Sequence, residues 1–316
     1  MPNQKACPDQ DFIRLFESVG PTKAAQQLGI TLRKIYERRR NLEKTYGPIT
    51  APKNPNPVQF EEHPQRACFD ISDGHVVVFS DAHYWPNYIS TAHKFLLKVI
   101  KDLKPKVVIA NGDVMDGARI SRFPPINWTH QPALYDELET VKERLDEVKS
   151  AAKNAKLVWT LGNHDARFET KLATVAPEFA DIYGTSLHDH IPEWRSAWSC
   201  WVNDDVVIKH RFKGGLHAPH NNTLWSGKHI VTGHIHSQKV MPISDYNGTR
   251  YGVDCGTLAD PYGPQFNAYT EDNPLNWRSG FCVLTFHKGK MLQPTLATVV
   301  SENVVDFPGP SKLIEI

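Results

Sequence analysis

Apolar positions along the chain change period twice. In the first fifty residues they recur at helical spacing, with Phe12, Leu15 and Phe16 on one face of the segment 11–18. Gly20–Pro21 interrupts that run, and Pro21 suits the first turn of a second helix ending at Leu28. Gly29 then turns the chain, and Thr31 is a good N-cap for a third helix over 32–46. Between residues 47 and 66 Pro48, Pro52, Pro55, Pro57 and Pro64 break every periodicity, which predicts an extended linker. Beyond it, short unbroken apolar runs over 75–80, 106–110 and 156–161 read as buried strands, separated by amphipathic helices near 88–101 and 133–153. Strand–helix–strand at this spacing predicts a largely parallel sheet. From Trp198 the strands close up, over 198–202, 206–210, 229–232, 239–243, 251–254, 281–286 and 291–299, and predict a second, more mixed or antiparallel sheet. The expected organisation is a small all-α domain over 1–46, a linker over 47–66 and an α/β domain with two sheets over 67–316.

Composition narrows the class. With 316 residues, 40% hydrophobic and 22% charged, the chain can bury a sizeable core, and collagen-like, coiled-coil and disordered classes are excluded. No run approaches the roughly 18 to 20 apolar residues of a membrane helix, so no membrane partner is expected. The first residues lack the apolar stretch of a secretion signal. Cys7, Cys68, Cys200, Cys255 and Cys282 are scattered without a C-x-x-C pair, which points to a reducing cytoplasm and away from a thiolate metal site. The formal net charge of +1 hides an asymmetry. Residues 1–66 carry 11 Lys and Arg against 7 Asp and Glu, leaving 25 against 28 for the remainder. A basic head on an acidic body suggests an anionic partner for the head.

The head segment TKAAQQLGITLRKIYERRR resembles the helix-turn-helix of site-specific recombinases and of many phage and bacterial regulators. Ala24–Ala25 stand where close packing is needed, Leu28–Gly29–Ile30 at the turn, and Ile35 inward on the second helix. That resemblance implies DNA as a partner, with Arg33 and Lys34 toward base edges and Arg38, Arg39 and Arg40 toward phosphates. The alternative is a three-helix protein-docking module whose basic run is a solvated face.

The remaining signal lies in the 15 histidines and where they fall. In α/β sheets functional groups collect beyond the carboxyl ends of strands. Here the strand runs lead into Asp81–Ala82–His83, Asn111–Gly112–Asp113, Gly162–Asn163–His164–Asp165, His210 and Gly233–His234–Ile235–His236. Oxygen and imidazole donors without thiolate suit manganese, iron or zinc. Asp81, His83, Asp113, Asn163, His210, His234 and His236 are too many for one tetrahedral zinc and fit two ions sharing a carboxylate. If Asp81/His83 and His234/His236 lie in extended chain, the two members of each pair point the same way. The intervening glycines would let the backbone approach the ions.

As an ordered set, D-x-H, G-D, G-N-H-D, H and G-H-x-H resembles the calcineurin-like metallophosphoesterase superfamily over about residues 70–300. The resemblance implies an αββα sandwich, two sheets flanked by helices, with a binuclear centre at one edge. Asp81, His83 and His236 would hold one ion, Asn163, His210 and His234 the other, and Asp113 would bridge them. Two divalent ions are implied as cofactors, manganese first, with iron, zinc, magnesium or nickel as alternatives. His164 would contact the phosphate or protonate the leaving group. One departure stands out: His210 is followed by Arg211 rather than glycine, so His217 and His220 are rival ligands, and His210 is preferred because it ends an apolar strand. Asp165 would orient His164 or cap the next helix. Arg167 would grip a phosphate oxygen or pair with Asp116.

The loop 117–131 should overhang the ions, either contacting a nucleotide through Arg119, Arg122, Trp128 and His130 or pinned down by Phe123 and Trp128. Trp194, Trp198 and Trp201 are expected in core and strand packing. Paired ions lower the pKa of a bridging water and clamp phosphoryl oxygens. Head and body together point to a DNA-directed phosphodiesterase or nuclease of phage or prophage type. The alternative is a phosphomonoesterase or nucleotide phosphodiesterase whose head serves localisation or assembly. A basic track through Arg119, Arg122, Arg167, Arg211 and Lys213 would favour DNA, and a closed pocket a small substrate.

Overall fold

Two helices build the first of two units, which divide the chain between Glu62 and His63. The computed structural model describes residues 7–52, 65–126, 128, 130–266 and 270–313. Helix α1 (Asp9–Leu28) is kinked where Gly20 leaves helical space at φ 76°, ψ 172° and Pro21 restarts the spiral, so the expected break is a kink rather than a loop. Gly29 caps it in the left-handed region at φ 64°. The Thr31 hydroxyl accepts the Lys34 amide at 3.4 Å to open α2 (Leu32–Tyr46). Phe12, Phe16, Ala24, Ile35, Leu42 and Ile49 form this unit's core. Ile49 lies inside the expected linker yet packs with the head, its amide held by the Glu43 carboxylate at 3.1 Å. Residues 53–64 of that linker are outside the described residues.

The second unit runs β1 (Arg66–Phe69), β2 (Gly74–Phe79), α3 (Thr91–Leu103), β3 (Val107–Ala110), α4 (Leu134–Ala151), β4 (Lys156–Thr160), α5 (Arg167–Val175) and α6 (Leu187–His190). It continues with β5 (Arg195–Ala197), β6 (Ser199–Val202), β7 (Val206–Ile208), α7 (Ala218–Ser226), β8 (His229–Thr232), β9 (Lys239–Asp245), β10 (Gly248–Asp254), β11 (Gly280–His287), β12 (Lys290–Met291), β13 (Thr295–Ser301) and β14 (Val304–Asp306). One sheet has the order β14-β13-β11-β2-β3-β4-β5, with β12 paired to β11; the other has the order β1-β6-β7-β8-β10-β9. Strands β2 to β5 are parallel, as their crossover helices require, while β11, β13 and β14 extend that sheet antiparallel.

Two expectations are corrected here. Strand β1 begins at Arg66, inside the expected linker, because a four-residue edge strand beside Pro64 has no periodicity long enough to read. The last strands return to the first sheet instead of completing the second, since spacing along the chain reports strand pairing but not which sheet a strand joins.

The continuous apolar runs are explained by burial on both faces. In β2, Val77 and Phe79 face α3 and α4 while Val76 and Val78 face the second sheet; in β3, Val108 and Ala110 divide from Val107 and Ile109 in the same way. The first layer adds Leu96, Val99 and Ile100 of α3 and Val141, Leu145 and Val148 of α4. The layer between the sheets adds Val202, Val206, Ile208, Val231 and Val253. Helix α7 packs against β10, where a Cβ on Gly252 would overlap the Pro219 carbonyl and the Thr223 hydroxyl. Helix, sheet, sheet and helix thus stack as the αββα sandwich expected.

Ile109, fully buried between the sheets, tests this layering. Ile109→Ala should cost about 2–5 kcal/mol in urea unfolding; a loss under 1 kcal/mol would mean the inter-sheet layer is not a packed core.

Candidate metal centre

The ligand candidates emerge from strand ends in an unusual backbone state. Asp81 (φ 54°), His83 (39°), Asp113 (50°), His234 (73°) and His236 (56°) all sit in the left-handed region. Non-glycine residues there carry roughly 1–3 kcal/mol of strain each, which persists only where the surroundings over-determine it. The D-x-H and H-x-H segments therefore turn out of regular extended chain, and the expected i, i+2 alternation is not what aligns them. The glycines differ from expectation as well. A Cβ on Gly162 would overlap the Asp113 carboxylate and amide, and one on Gly233 would overlap the Ser80 hydroxyl and Asp81 carboxylate. They make room for ligand side chains, so the donors, rather than the backbone, approach the centre.

Beside a group that joins His83 to Asp116 and His164, the chain gathers two groups of donors that share no residue, each with its ligand atoms within 4.8 Å of one another: Asp81, His83 and His236 in one, Asp113, His210 and His234 in the other. His236 Nε2 lies 3.0 Å from Asp81 Oδ1, and His210 Nε2 lies 3.1 Å from Asp113 Oδ2. Donors bound about 2.1 Å from a shared ion at right angles sit roughly 3 Å apart. The outward atoms are tied down. Asp81 Oδ2 accepts from the Ser80 hydroxyl and the His234 amide, His210 Nδ1 donates to the Asn111 carbonyl at 2.9 Å, and His83 Nδ1 lies 2.9 Å from Asp116 Oδ1. Such partners fix ring orientation and tautomer in metal sites. The inward atoms are the orphans: His83 Nε2, Asn163 Oδ1 and His210 Nε2 are buried without a hydrogen-bond partner. Buried orphans cost free energy unless a ligand satisfies them. Burial would lower the His210 imidazole, but the Asp113 and Asp81 carboxylates outweigh it and push it up to about 10. Donor set, orphaned atoms and negative field fit divalent cations.

His210 lies two residues beyond β7 rather than at its last residue. Of its rivals, His217 is exposed and the His220 ring lies 3.4 Å from the Asn221 side chain; among the described residues neither belongs to a donor group.

His164 lies beside the first group, its ring 4.7 Å from His83. Its Nδ1 donates to the Asp116 carbonyl at 2.8 Å and stands 3.3 Å from that residue's carboxylate. Asp165, expected to orient His164 or cap the next helix, does neither. Its carboxylate accepts the amides of Gly162, Asp113, Val114 and Met115 and the Trp159 indole N–H, at 2.8–3.2 Å. It fastens the Asp113 turn to the Gly162 turn, and Asp116 takes the place at His164. Arg167 donates to the Asp116 carbonyl at 2.8 Å and to His164 Nε2 at 3.1 Å, so its tie to Asp116 runs through the backbone.

Both groups open into a cavity of about 640 Å³. Its floor is Asp113, Asn163, His164, His234 and His236; its walls are largely apolar, with Trp85, Phe123, Ile126, Phe266 and Trp277 prominent. The 117–131 loop overhangs as expected, with His130 on the lining. Trp128 is fully exposed and so pins nothing, while Arg119 is spent on the Gln131 carbonyl and Arg122 on the Phe123 ring. Of the five residues of the expected basic track, Arg167 alone lines this cavity. Trp85, Phe266 and Trp277 carried no sequence signal, since they sit in loops without periodicity. Asp116, three residues after Asp113, was legible only as a partner for Arg167. Trp194 is buried as expected, whereas Trp198 is exposed and the Arg66 guanidinium covers the ring of Trp201.

In the head, the basic run is partly consumed. Arg38 pairs with Asp9 at 2.8 Å over the Phe12 ring, and Arg39 pairs with Glu43 at 2.8 Å over the Phe16 ring. These two arginines stitch α2 to α1 and to itself rather than extending to phosphates. Arg33 pairs with Glu37 at 3.0 Å, leaving Lys34 and Arg40 exposed.

The sequence profile of calcineurin-like phosphoesterases matches residues 74–248. No curated protein is significantly similar to the chain in sequence. Among solved structures it is similar to Vps29 of Entamoeba histolytica complexed with zinc, at 14% identity and TM-score 0.41, covering 73% of this chain and 96% of that one. It is also similar to the phosphoesterase Yfce of E. coli, at 16% identity and TM-score 0.31, covering 70% and 97%. A third is a serine/threonine phosphatase of Saccharomyces cerevisiae, at 12% identity and TM-score 0.38, covering 78% and 85%.

Behind the centre, Glu137 of α4 is fully buried, holding the Gly117 amide at 2.9 Å. Burial, reinforced by the Asp116 charge, pushes its carboxyl up to about 7 from an ordinary 4.5. As pH rises, the unfolded chain releases this proton first, so this residue's contribution to stability falls between about pH 4.5 and 7 and is level above. The full change is about 3 kcal/mol. Glu137→Gln should remove that slope in denaturation midpoints taken from pH 5 to 8.5; an unchanged slope would place the titration elsewhere.

Proposed function

The chain belongs to the calcineurin-like phosphoesterase family, a metal-dependent phosphoesterase family, and we propose that it is a phosphodiesterase acting at DNA ends. The observation that carries this reading is the apolar, aromatic-walled cavity opening directly on the two donor groups. A phosphomonoester brings two negative charges and calls for several cationic grips, but among the described residues Arg167 is the sole Lys or Arg on the lining. A diester brings one charge and an organic group on each side of phosphorus. A cavity of this size and lining accommodates one terminal nucleotide, its base against aromatic rings.

Asp81, His83 and His236 would hold one divalent ion and Asp113, Asn163, His210 and His234 the other. When bound, such a pair supplies a water of lowered pKa and neutralises charge building on phosphoryl oxygens. The chain's own residues do the rest. Arg167, anchored to the Asp116 carbonyl and to His164, would turn its remaining N–H groups to a non-bridging oxygen. His164, once its Nε2 is released by Arg167 and protonated, would give that proton to the leaving oxygen. Burial lowers the His164 imidazole, but the Asp116 and Asp113 carboxylates outweigh it and hold it above its ordinary value, which favours the acid form. Asp116 orients the ring from behind. The walls exclude water and seat the base.

The head supports DNA as the substrate, with Lys34 and Arg40 as the cations of its basic run that no ion pair takes up among the described residues, and a tethered DNA-binding module raises substrate concentration at the centre. A phage or prophage setting suits such a pairing of modules. A second reading, a nucleotide phosphodiesterase or phosphomonoesterase whose head serves localisation or assembly, is favoured by the lack of Arg119, Arg122, Arg211 and Lys213 from the cavity lining.

Manganese-dependent turnover of bis(p-nitrophenyl) phosphate and p-nitrophenyl phosphate, run beside linear, nicked and closed circular duplex, separates these. Diester preference with loss of linear and nicked DNA is expected; monoester preference with intact DNA would replace the proposal by the second reading. His164→Ala should retain metal but slow diester cleavage about 10²- to 10⁴-fold, and Asp113→Asn should abolish turnover. Lys34→Ala with Arg40→Ala should weaken duplex binding and flatten its salt dependence by about two phosphate contacts. An unaltered salt slope would make the head a protein-docking module.

A further inference from the structure

Between Asp205 and Asp245 the sequence has no Asp or Glu, although the chain as a whole carries 35 in 316 residues. This carboxylate-free span starts with β7, contains the donors His210, His234 and His236, and includes the segment KHRFK over 209–213. The acidic balance of the body is thus suspended along this stretch, beside the centre.

The structure turns that span into a surface strip. Arg211, Phe212 and Lys213 are exposed, as is Trp225 of α7. Lys213 Nζ lies 4.4 Å from the Trp225 ring centroid and 5.7 Å from that of Phe212, and Lys209 Nζ lies 5.3 Å from Phe212. The loop is held in register by Asn222, a fully buried side chain that accepts the Lys213 amide at 2.9 Å and donates to its carbonyl at 3.3 Å. Among the described residues neither Arg211 nor Lys213 pairs with a carboxylate. The strip leads into the centre through His210, whose ring lies 5.3 Å from that of His234, and His234 in turn lines the cavity.

We infer that the strip formed by Lys209, Arg211, Phe212, Lys213 and Trp225 is a track for single-stranded DNA leading to the metal centre, an inference that rests on the strand-end phosphodiesterase reading. Alternating cations and exposed aromatic rings are what a single strand requires: charge for the backbone phosphates and flat apolar faces for unstacked bases. A duplex keeps its bases stacked and has no use for Trp225 and Phe212. The terminal nucleotide occupies the cavity, its phosphate lies over the donor groups, and the following nucleotides leave along the strip past His210. Arg211 and Lys213 of the expected basic track are therefore in use, but outside the cavity.

The test is fluorescence anisotropy of a labelled 20-nucleotide oligo-dT on the full-length, manganese-loaded His164→Ala protein, in which cleavage is slow. Adding Arg211→Ala and Lys213→Ala should weaken binding at least tenfold and reduce the salt slope by about 1.4, two single-strand phosphate contacts. Trp225→Ala should weaken binding by roughly tenfold, and Trp225→Phe should restore most of it, which a merely structural role for the indole would not require. Oligo-dT affinity and salt slope unchanged in the double variant, with circular dichroism reporting a folded protein, would overturn the inference, as would failure of the unaltered strip to bind oligo-dT. Oligo-dT bound through the strip but left uncut by the enzyme with His164 intact would support the strip while removing the strand-end phosphodiesterase reading.

Discussion

A carboxylate cannot remain charged in a protein interior unless something cationic or hydrogen-bonding meets it, and three such groups converge here. Asp81, Asp113 and Asp165 are all essentially inaccessible to solvent. Asp165 is met by five N–H donors from the protein itself. Asp81 and Asp113 are met partly by amides and otherwise by the imidazoles of His236 and His210, beside inward donor atoms of His83 and Asn163 that lack partners. That difference divides the peg from the ligands. The strained turns, the glycines that clear space for side chains and the outward hydrogen bonds of His83 and His210 are arrangements that leave donor atoms pointing inward. Their cost becomes intelligible once divalent cations satisfy those atoms.

The sandwich follows from the same requirement. Parallel strands buried on both faces bring their carboxyl ends to one edge, so ligands from β2, β3 and β4 of one sheet meet those beyond β7 and β8 of the other. Asp165 then locks the Asp113 turn against the Gly162 turn. Burial and the neighbouring Asp113 charge push its carboxyl up to about 6, while the surrounding amides pull it back. The apolar cavity wall comes from segments outside this frame, in the loop after β3 and the stretch between β10 and β11. Phe266 and Trp277 of that wall pack against the rings of His83 and His236, so wall and donors support one another.

The αββα class and the donors at each strand end were legible in the sequence because both are local: a short apolar run followed at once by a hard ligand. The geometry that unites the donors was not, since a left-handed turn at Asp81 or His236 leaves no mark in residue identity. Asp165 was misread because its partners, the amides of Gly162 and residues 113–115, are backbone groups that carry no sequence signature. Arg38 and Arg39 were read only as contacts toward phosphates; that Asp9, Glu43 and two phenylalanines also hold them is a tertiary fact beyond any helical wheel. The return of the last strands to the first sheet, and the aromatic wall from Phe266 and Trp277, depend on long-range pairing that spacing does not encode.

The central claim, that buried donors are arranged around two divalent ions, is tested most directly by counting them. Elemental analysis of the full-length protein after manganese loading and desalting, paired with thermal unfolding before and after chelation, would suffice. Close to two ions per chain and a clear fall in Tm on chelation are expected. A protein carrying no ion above background, with a Tm indifferent to chelator, would contradict the account.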